Sequence, residues 1–327
     1  VMNALLAAGA VPAGIALALV ILYTRWEGRE ALPTWNLYTQ DMSEAGPADP
    51  ISMGGIKHAI IGTLITIGIA ILLTVPLGLT CAVFLNEIDN RFAQFVRTIV
   101  DAMTALPSIL AGLFIFATWI LILGNERSGL AAALAVSIMM LPIIIRSADV
   151  VLRLVPGNLK EASSALGAPQ WRTVRFVTLP TARSGLATAV ILGVARGIGE
   201  TAPVLLTSGF AASVNLDPVH NPMVSLPLAT FEFVRSPQPA QVARGFATAA
   251  VLMILVLALF AIARLLGGRQ AGQLSKRQAR RVRARSARDV DRYDGRNAVA
   301  SSTSALVPPL PLPPPPALGG PIPEMAT

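Results

Sequence analysis

The chain of 327 residues has one cysteine, Cys81, and two histidines, His58 and His220. A single thiol excludes an internal disulfide framework and a multi-cysteine zinc or iron–sulfur site. Two histidines leave too little for a histidine-rich metal centre, so no metal and no cofactor is expected. Charge is scarce as well, at 13% of residues against about 25% in a typical soluble domain. No Walker A pattern occurs, because the glycines at 267–272 lack the Lys-Ser/Thr ending that grips phosphates. Nothing resembles a catalytic triad or a paired-carboxylate site. The chain therefore does not read as an enzyme, and any ATP hydrolysis it needs belongs to another polypeptide.

What is abundant is apolar side chain, 54% of the total. That excludes a disordered protein and points to an integral membrane protein. A helical span needs roughly 17–25 mostly apolar residues. Six stretches qualify: 4–23, 59–85, 102–123, 129–145, 185–208 and 247–266. The first is read as a span and not as a secretory signal, since it has no charged leading region and no A-x-A-type closing site.

Lys plus Arg number 26 and Asp plus Glu 18, a net charge of +8. With the N-terminus placed in the cytoplasm, nineteen basic residues fall inside and six outside. The outer six include Arg235 and Arg244. This bias favours both termini facing the cytoplasm of a multi-pass plasma-membrane protein. The organisation is then a first span and external loop (1–58), a core transmembrane domain (59–266) and a tail (267–327). The tail begins with a basic run, residues 276–285, expected to anchor on anionic lipid headgroups, with no nucleic acid as partner. It ends in a proline-rich segment expected to be disordered.

The segment 156–180 is the most informative. A helix-forming run, 159–166, closes at Gly167, a residue suited to the positive φ of a helix C-cap. A second amphipathic run, 170–178, follows and leads into Leu179-Pro180. This makes a helix–glycine–helix elbow on the cytoplasmic side, a shape suited to a groove on a partner.

That elbow resembles the EAA loop of ABC importer permeases. Glu161, Ala162, Gly167, Val177, Leu179 and Pro180 stand at the required spacing, and Ser163 replaces the third small residue of the motif. With Leu106-Pro-Ser108, Ala195-Arg196-Gly-Ile-Gly-Glu200-Thr-Ala-Pro203 and Leu226-Pro227, the chain is similar to the PstA-type permease family of phosphate importers over about residues 52–266. The resemblance implies an all-α membrane protein with six transmembrane helices, in the type I ABC importer permease fold. It implies that Glu161, Ala162, Gly167, Leu179 and Pro180 belong to a coupling helix docked on an ATPase. It also implies partners: a homologous second permease, two ATPase subunits and an external phosphate-binding protein. The tail lies outside it.

Arg196 and Glu200 stand out without any family. A charge inside a span costs at least about 2.5 kcal/mol on insertion scales and marks a candidate functional site. Their i,i+4 spacing puts both on one helical face, where they can pair. One reading has Arg196 lower the barrier for an anion through bidentate donors, with Glu200 holding it and accepting from a protonated oxyanion. The other is a structural salt bridge. Thr201 is a further candidate for the substrate path. Gly193, Gly197 and Gly199 either permit close helix packing or leave room for the anion. Permeases for sulfate or molybdate, or an anion transporter without an ATPase, are the competing functions. His58 and His220 are expected in or beside outer loops, either solvated or in contact with an external binding protein.

Overall fold

The computed structural model describes residues 2–267 and Ser286, and every regular element among them is helical. The expectations for the basic run 276–285 and the proline-rich tail fall outside the described residues. In chain order the helices are α1 (Met2–Glu27), α2 (Trp35–Thr39), α3 (Lys57–Glu87), α4 (Arg91–Ala105), α5 (Ser108–Ile115), α6 (Gly129–Arg153), α7 (Gly157–Ala165), α8 (Gln170–Thr173), α9 (Leu179–Ile198), α10 (Ala202–Thr207), α11 (Leu226–Val234) and α12 (Pro239–Gly267). Two π-helical segments, Phe116–Ile122 and Val174–Thr178, continue α5 and join α8 to α9.

Among the described residues, five helical stretches are long and apolar enough to cross a bilayer: Gly9–Glu27, Lys57–Glu87, Gly129–Arg153, Gln170–Ile198 and Pro239–Ile262. A sixth results when Arg91–Ala105 and Ser108–Ile122 are counted as one span bent by 105°.

The expected span 102–123 is thus broken near its start, at Leu106–Pro107. Proline lacks an N–H and pushes the preceding residue out of the helical region, and Leu106 sits at φ −69°, ψ 132°. The preceding helix, α4, is capped by Asn90, whose Oδ1 accepts the Ala93 N–H at 2.8 Å. It escaped a hydropathy reading because it is two-faced. Phe92, Phe95 and Ile99 are exposed, while Ala93 and Val100 are buried.

The expected span 185–208 is displaced. The rod begins at Gln170 and ends at Ile198. Arg172, Arg175 and Arg183 make its first turns too polar to score as membrane. At its far end Gly199-Glu200-Thr201 is non-helical, and Pro203 prevents continuation, because its ring would clash with the carbonyl of Gly199. The last span starts at Pro239, earlier than the expected 247, with proline at the first helical position where its missing N–H costs nothing.

The centre is α6, with α3 and α9 packed on it. α12 packs on α9 and α11 and receives α1, while α5 and α10 pack on each other beside α6. Small residues let these backbones approach. Ile144 of α6 is fully buried between Gly78 of α3 and Gly193 of α9, where an added Cβ would meet it at 2.7 and 2.5 Å. Lipid tails are as apolar as leucine, so such close packing, and not hydrophobic segregation, holds helices together in a bilayer.

The end of the bundle opposite the elbow carries a folded cap. Asn36 Nδ2 donates to the carbonyls of Ile51 and Gly54, both at 2.8 Å, and the Ile56 N–H donates to Leu37 at 2.7 Å. Arg244, counted among the outer-loop cations, is instead buried on α12, 1% exposed. Its guanidinium donates to the carbonyls of Asp49 (3.2 Å), Pro50 (2.6 Å) and Met53 (2.6 Å) and to Gln241 Oε1 (3.0 Å). Hydrogen bonds to several carbonyls replace the counter-ion that a buried charge ordinarily needs. His58 is likewise buried, 2% exposed, edge-on to Phe210 at 6.4 Å, contrary to the exposed position expected.

Candidate functional site

Two places carry the residues singled out in the sequence. The first is the elbow. Helix α7 ends in a Schellman motif, with the Ala168 N–H on the Ser163 carbonyl (3.2 Å) and the Gly167 N–H on the Ser164 carbonyl (2.9 Å). Gly167 adopts φ +79°, the left-handed conformation that a side chain would strain. The second arm differs from the expectation of a separate helix. α8 runs through the π segment Val174–Thr178 into α9 without a gap, so residues 170–178 are the first turns of the fifth span. Leu179 and Pro180 open α9 as expected.

Ser163 has a part in this geometry. Its Oγ lies 2.8 Å from Thr173 Oγ1 and ties α7 to α8 across the turn, a bond the small apolar residue it replaces could not make. Glu161 and Ala162 are exposed, and Leu166 is 89% and Trp171 59% exposed. Large apolar groups in the open on a charged loop mark an interaction surface.

The second place is the end of α9. Arg196 lies in the last turn of the helix and Glu200 in the break beyond it, so the two do not share one continuous helix as expected. They still pair, with Arg196 Nε 3.0 Å from Glu200 Oε1. The partners differ in environment: the arginine side chain is 56% exposed and the glutamate 11%. Among the described residues only Nε of Arg196 is hydrogen-bonded, which leaves the terminal guanidinium nitrogens free.

The depth of the pair follows from its neighbours. Gly197 packs on Met140 and Val136, near the middle of α6. A Cβ on Gly193 would stand 2.5 Å from Ile144 Cγ1, and one on Gly197 2.4 Å from Met140 Sδ. These two glycines therefore serve helix packing, and only Gly199, with nothing closer than 3.8 Å, leaves open space. Thr188, Leu192 and Arg196 of α9, with Gly199 just beyond its end, are exposed together and form one stripe. A stripe with an arginine near mid-span cannot rest against hydrocarbon cheaply, so it faces water or another protein.

Thr201 is half-buried at the break, and its hydroxyl makes no hydrogen bond among the described residues. Thr207 and Ser208 are fully buried, and their hydroxyls donate to the carbonyls of Pro203 and Met223. They satisfy backbone, as hydroxyls in membrane helices commonly do. Asp149 joins Arg97 (3.2 Å) and Arg153 (3.1 Å), and Asp101 joins Arg146 (2.7 Å), all near the elbow end. Sequence reasoning missed Arg244 and the tie between Glu87 and Lys160 at 2.6 Å. The start signal at Pro239 would have brought Arg244 inside its helix, whereas no local signal pairs Glu87 with Lys160.

Residues 74–271 match the model of a family described as binding-protein-dependent transport system inner membrane component. The phosphate transport system permease protein PstA 1 of Mycobacterium tuberculosis is 43% identical over 204 residues, 62% of this chain and 67% of that protein. The corresponding PstA of Haemophilus influenzae is 36% identical over 234 residues, 70% of this chain and 80% of its own length. In fold, the chain resembles one from the crystal structure of a bacterial ABC transporter involved in the import of the acidic polysaccharide alginate. That likeness has a TM-score of 0.50 at 14% identity and covers 81% of this chain and 96% of the other. With the elbow, the spans and these matches together, the chain belongs to the family of binding-protein-dependent transport system inner membrane components.

Proposed function

We propose that this chain is one of the two permease subunits of an ATP-driven importer of inorganic phosphate, in a bacterial plasma membrane with both termini in the cytoplasm. The observation that carries the reading is the Arg196 guanidinium, held at Nε by Glu200 with its terminal nitrogens free on an exposed stripe near mid-span. A planar pair of N–H donors fits two oxygens of a tetrahedral oxyanion, and arginine stays charged at any working pH. Relatives named as phosphate transport permeases support phosphate as the substrate.

Each partner follows from a surface. The α9 stripe faces a homologous second permease, and the substrate passes between the two. The elbow, with Glu161, Ala162 and Gly167 and the exposed Leu166 and Trp171, docks on one of two ATPase subunits. The cap at the opposite end, latched by Arg244, meets an external phosphate-binding protein. ATP binding closes the ATPases, the elbow moves, and the rod Gln170–Ile198 carries that motion to Arg196. Arg196 holds phosphate only in passing, since a path residue that bound it tightly would slow release. Glu200, which needs a proton donor to bond an oxyanion, favours protonated phosphate over fully ionised sulfate, and Thr201 offers its hydroxyl beside it.

The test is labelled phosphate uptake at low external phosphate in cells lacking the gene, complemented with wild type or Arg196→Gln. Membrane expression is verified and excess sulfate is the competitor. Uptake restored by wild type, lost in the variant and indifferent to sulfate is the expected result. Full uptake by Arg196→Gln makes the arginine structural. No rescue by wild type, or competition by sulfate or molybdate, moves the substrate to another oxyanion.

A further inference from the structure

Glu87 is the last residue of α3 and receives both arms of the elbow. Lys160 Nζ, on α7, lies 2.6 Å from Glu87 Oε1 and 3.1 Å from Asn86 Oδ1. Gln170 Nε2, at the start of the rod, donates to the Glu87 carbonyl at 3.2 Å and reaches Glu87 Oε2 at 3.4 Å. The ion pair is sheltered, with side chains 28% and 14% exposed, and its length is that of a strong charge-assisted bond. Arg97 of α4 adds a bond to the Leu85 carbonyl at 3.0 Å, so cations cluster where the α3 dipole is negative.

The position of this tie matters for how force enters the bundle. A push on the elbow acts directly on α9, because α8 and the π segment join them without a break. If α9 moved alone it would leave Ile144, which is clamped between Gly193 of α9 and Gly78 of α3. Close-packed contacts of this kind have no intermediate spacing that keeps their dispersion energy. A lateral tie from the elbow to α3 moves both walls of that clamp together.

We propose that Glu87 is a positioning residue that transmits displacement of the coupling elbow into α3. The motion of the ATPase then enters the bundle by two routes, along the rod to Arg196 and through Glu87 to the helix on the other side of α6. The inference rests on the ATPase half of the function proposed above and is independent of the substrate.

The chain holds its own reporter. Cys81, its one cysteine, is half-buried on α3 a little before Glu87. The complete importer, with second permease and ATPases, is reconstituted in vesicles. N-ethylmaleimide labelling of Cys81 is followed by mass spectrometry without nucleotide and with ATP plus vanadate. Wild type is expected to change its labelling rate between the two states by about fivefold, the factor that corresponds to roughly 1 kcal/mol.

In Glu87→Gln that nucleotide dependence disappears and phosphate moved per ATP falls, while the ATPases still co-purify and hydrolyse ATP. The charge exchange Glu87→Lys with Lys160→Glu restores both. The proposal is overturned if Glu87→Gln keeps the wild-type response, if wild type shows none, or if the variant loses its ATPases and the exchange restores nothing. Wild-type vesicles that take up no phosphate, yet respond to nucleotide through Glu87, defeat the substrate assignment and support the strut.

Discussion

Replacing Glu200 with glutamine separates two roles that Arg196→Gln cannot. The pair stands at 3.0 Å, where unit charges interact by about 5 kcal/mol in an effective dielectric of about 20. The guanidinium is 56% exposed, so water screens most of that, and the net loss to the fold is roughly 1 kcal/mol. Glu200→Gln should therefore still assemble. Its effect on transport is expected to be larger and of a particular kind. In the proposed path the glutamate occupies only Nε, so it leaves the terminal nitrogens to the anion but repels that anion by its charge. Without that charge phosphate binds longer, so KM and kcat for uptake should fall together by roughly tenfold, the factor for about 1.4 kcal/mol. Uptake kinetics in vesicles, with assembled importer quantified, give the two constants separately. A variant with raised KM and unchanged kcat, or one as dead as Arg196→Gln, would falsify the repulsion argument and leave Glu200 with only its hold on Nε.

Three further outcomes follow from the same geometry. Gly193→Val puts a Cβ 2.5 Å from Ile144 Cγ1 and is expected to cost about 1–3 kcal/mol by overpacking, read as a lowered Tm in detergent. Ile144→Ala on that background should recover part of the loss, and a second variant that only adds to the first refutes the clamp. Arg244→Met strands three carbonyls and Gln241, and about 3 kcal/mol of stability should go with it, seen as faster proteolysis at 49–53; an unchanged cleavage rate sinks the latch. In the exposed turn 215–222, His220 Nδ1 lies 2.8 Å from Asp217 Oδ2, which raises the imidazole pKa and lowers that of the carboxyl. The pair's support for the turn is present below the ordinary histidine pKa and is lost as pH rises through the raised value. It is also lost as pH falls through the lowered carboxyl value. The protection factors of the amides of Asp217 and residues 219–221, with the intrinsic pH dependence divided out, should be highest between those limits, and Asp217→Asn should flatten the profile; a profile already flat in the wild type removes the pair.

The two ends of the fold were legible to different degrees, for physical reasons. The second and fourth spans could be read because uninterrupted apolar sequence leaves a buried helix little choice in a bilayer. The third and fifth could not be bounded, because hydropathy averages over a window while a helix ends at single residues. Pro107 and Pro203 mark those ends, yet α3 runs through Pro76 and α6 through Pro142 without stopping. Whether a proline breaks a span depends on whether neighbours supply partners for the freed carbonyl, which is a tertiary matter. α4 and the first turns of the rod are amphipathic, and their polar faces hid them. The cap is held by backbone carbonyls, which every residue has, so no sequence pattern announces that Arg244 will find three of them.

The elbow and the arginine pose opposite problems for a reading from one sequence. The elbow is local: Gly167, the arms and the small residues at its turn lie within a stretch short enough for spacing to determine shape. The direction in which Arg196 faces is not local, and the glycines settle it. Gly193 and Gly197 fix the side of α9 that lies on α6, because any larger residue there would collide with Ile144 or Met140. Arg196 is set off from that side by the helical repeat and so must leave the bundle. A charge sent outward at the depth of the middle of α6 needs a surface that the described residues do not supply. The glycines and the arginine are thus one feature: the first press α9 onto its own bundle, and in doing so they turn the second outward.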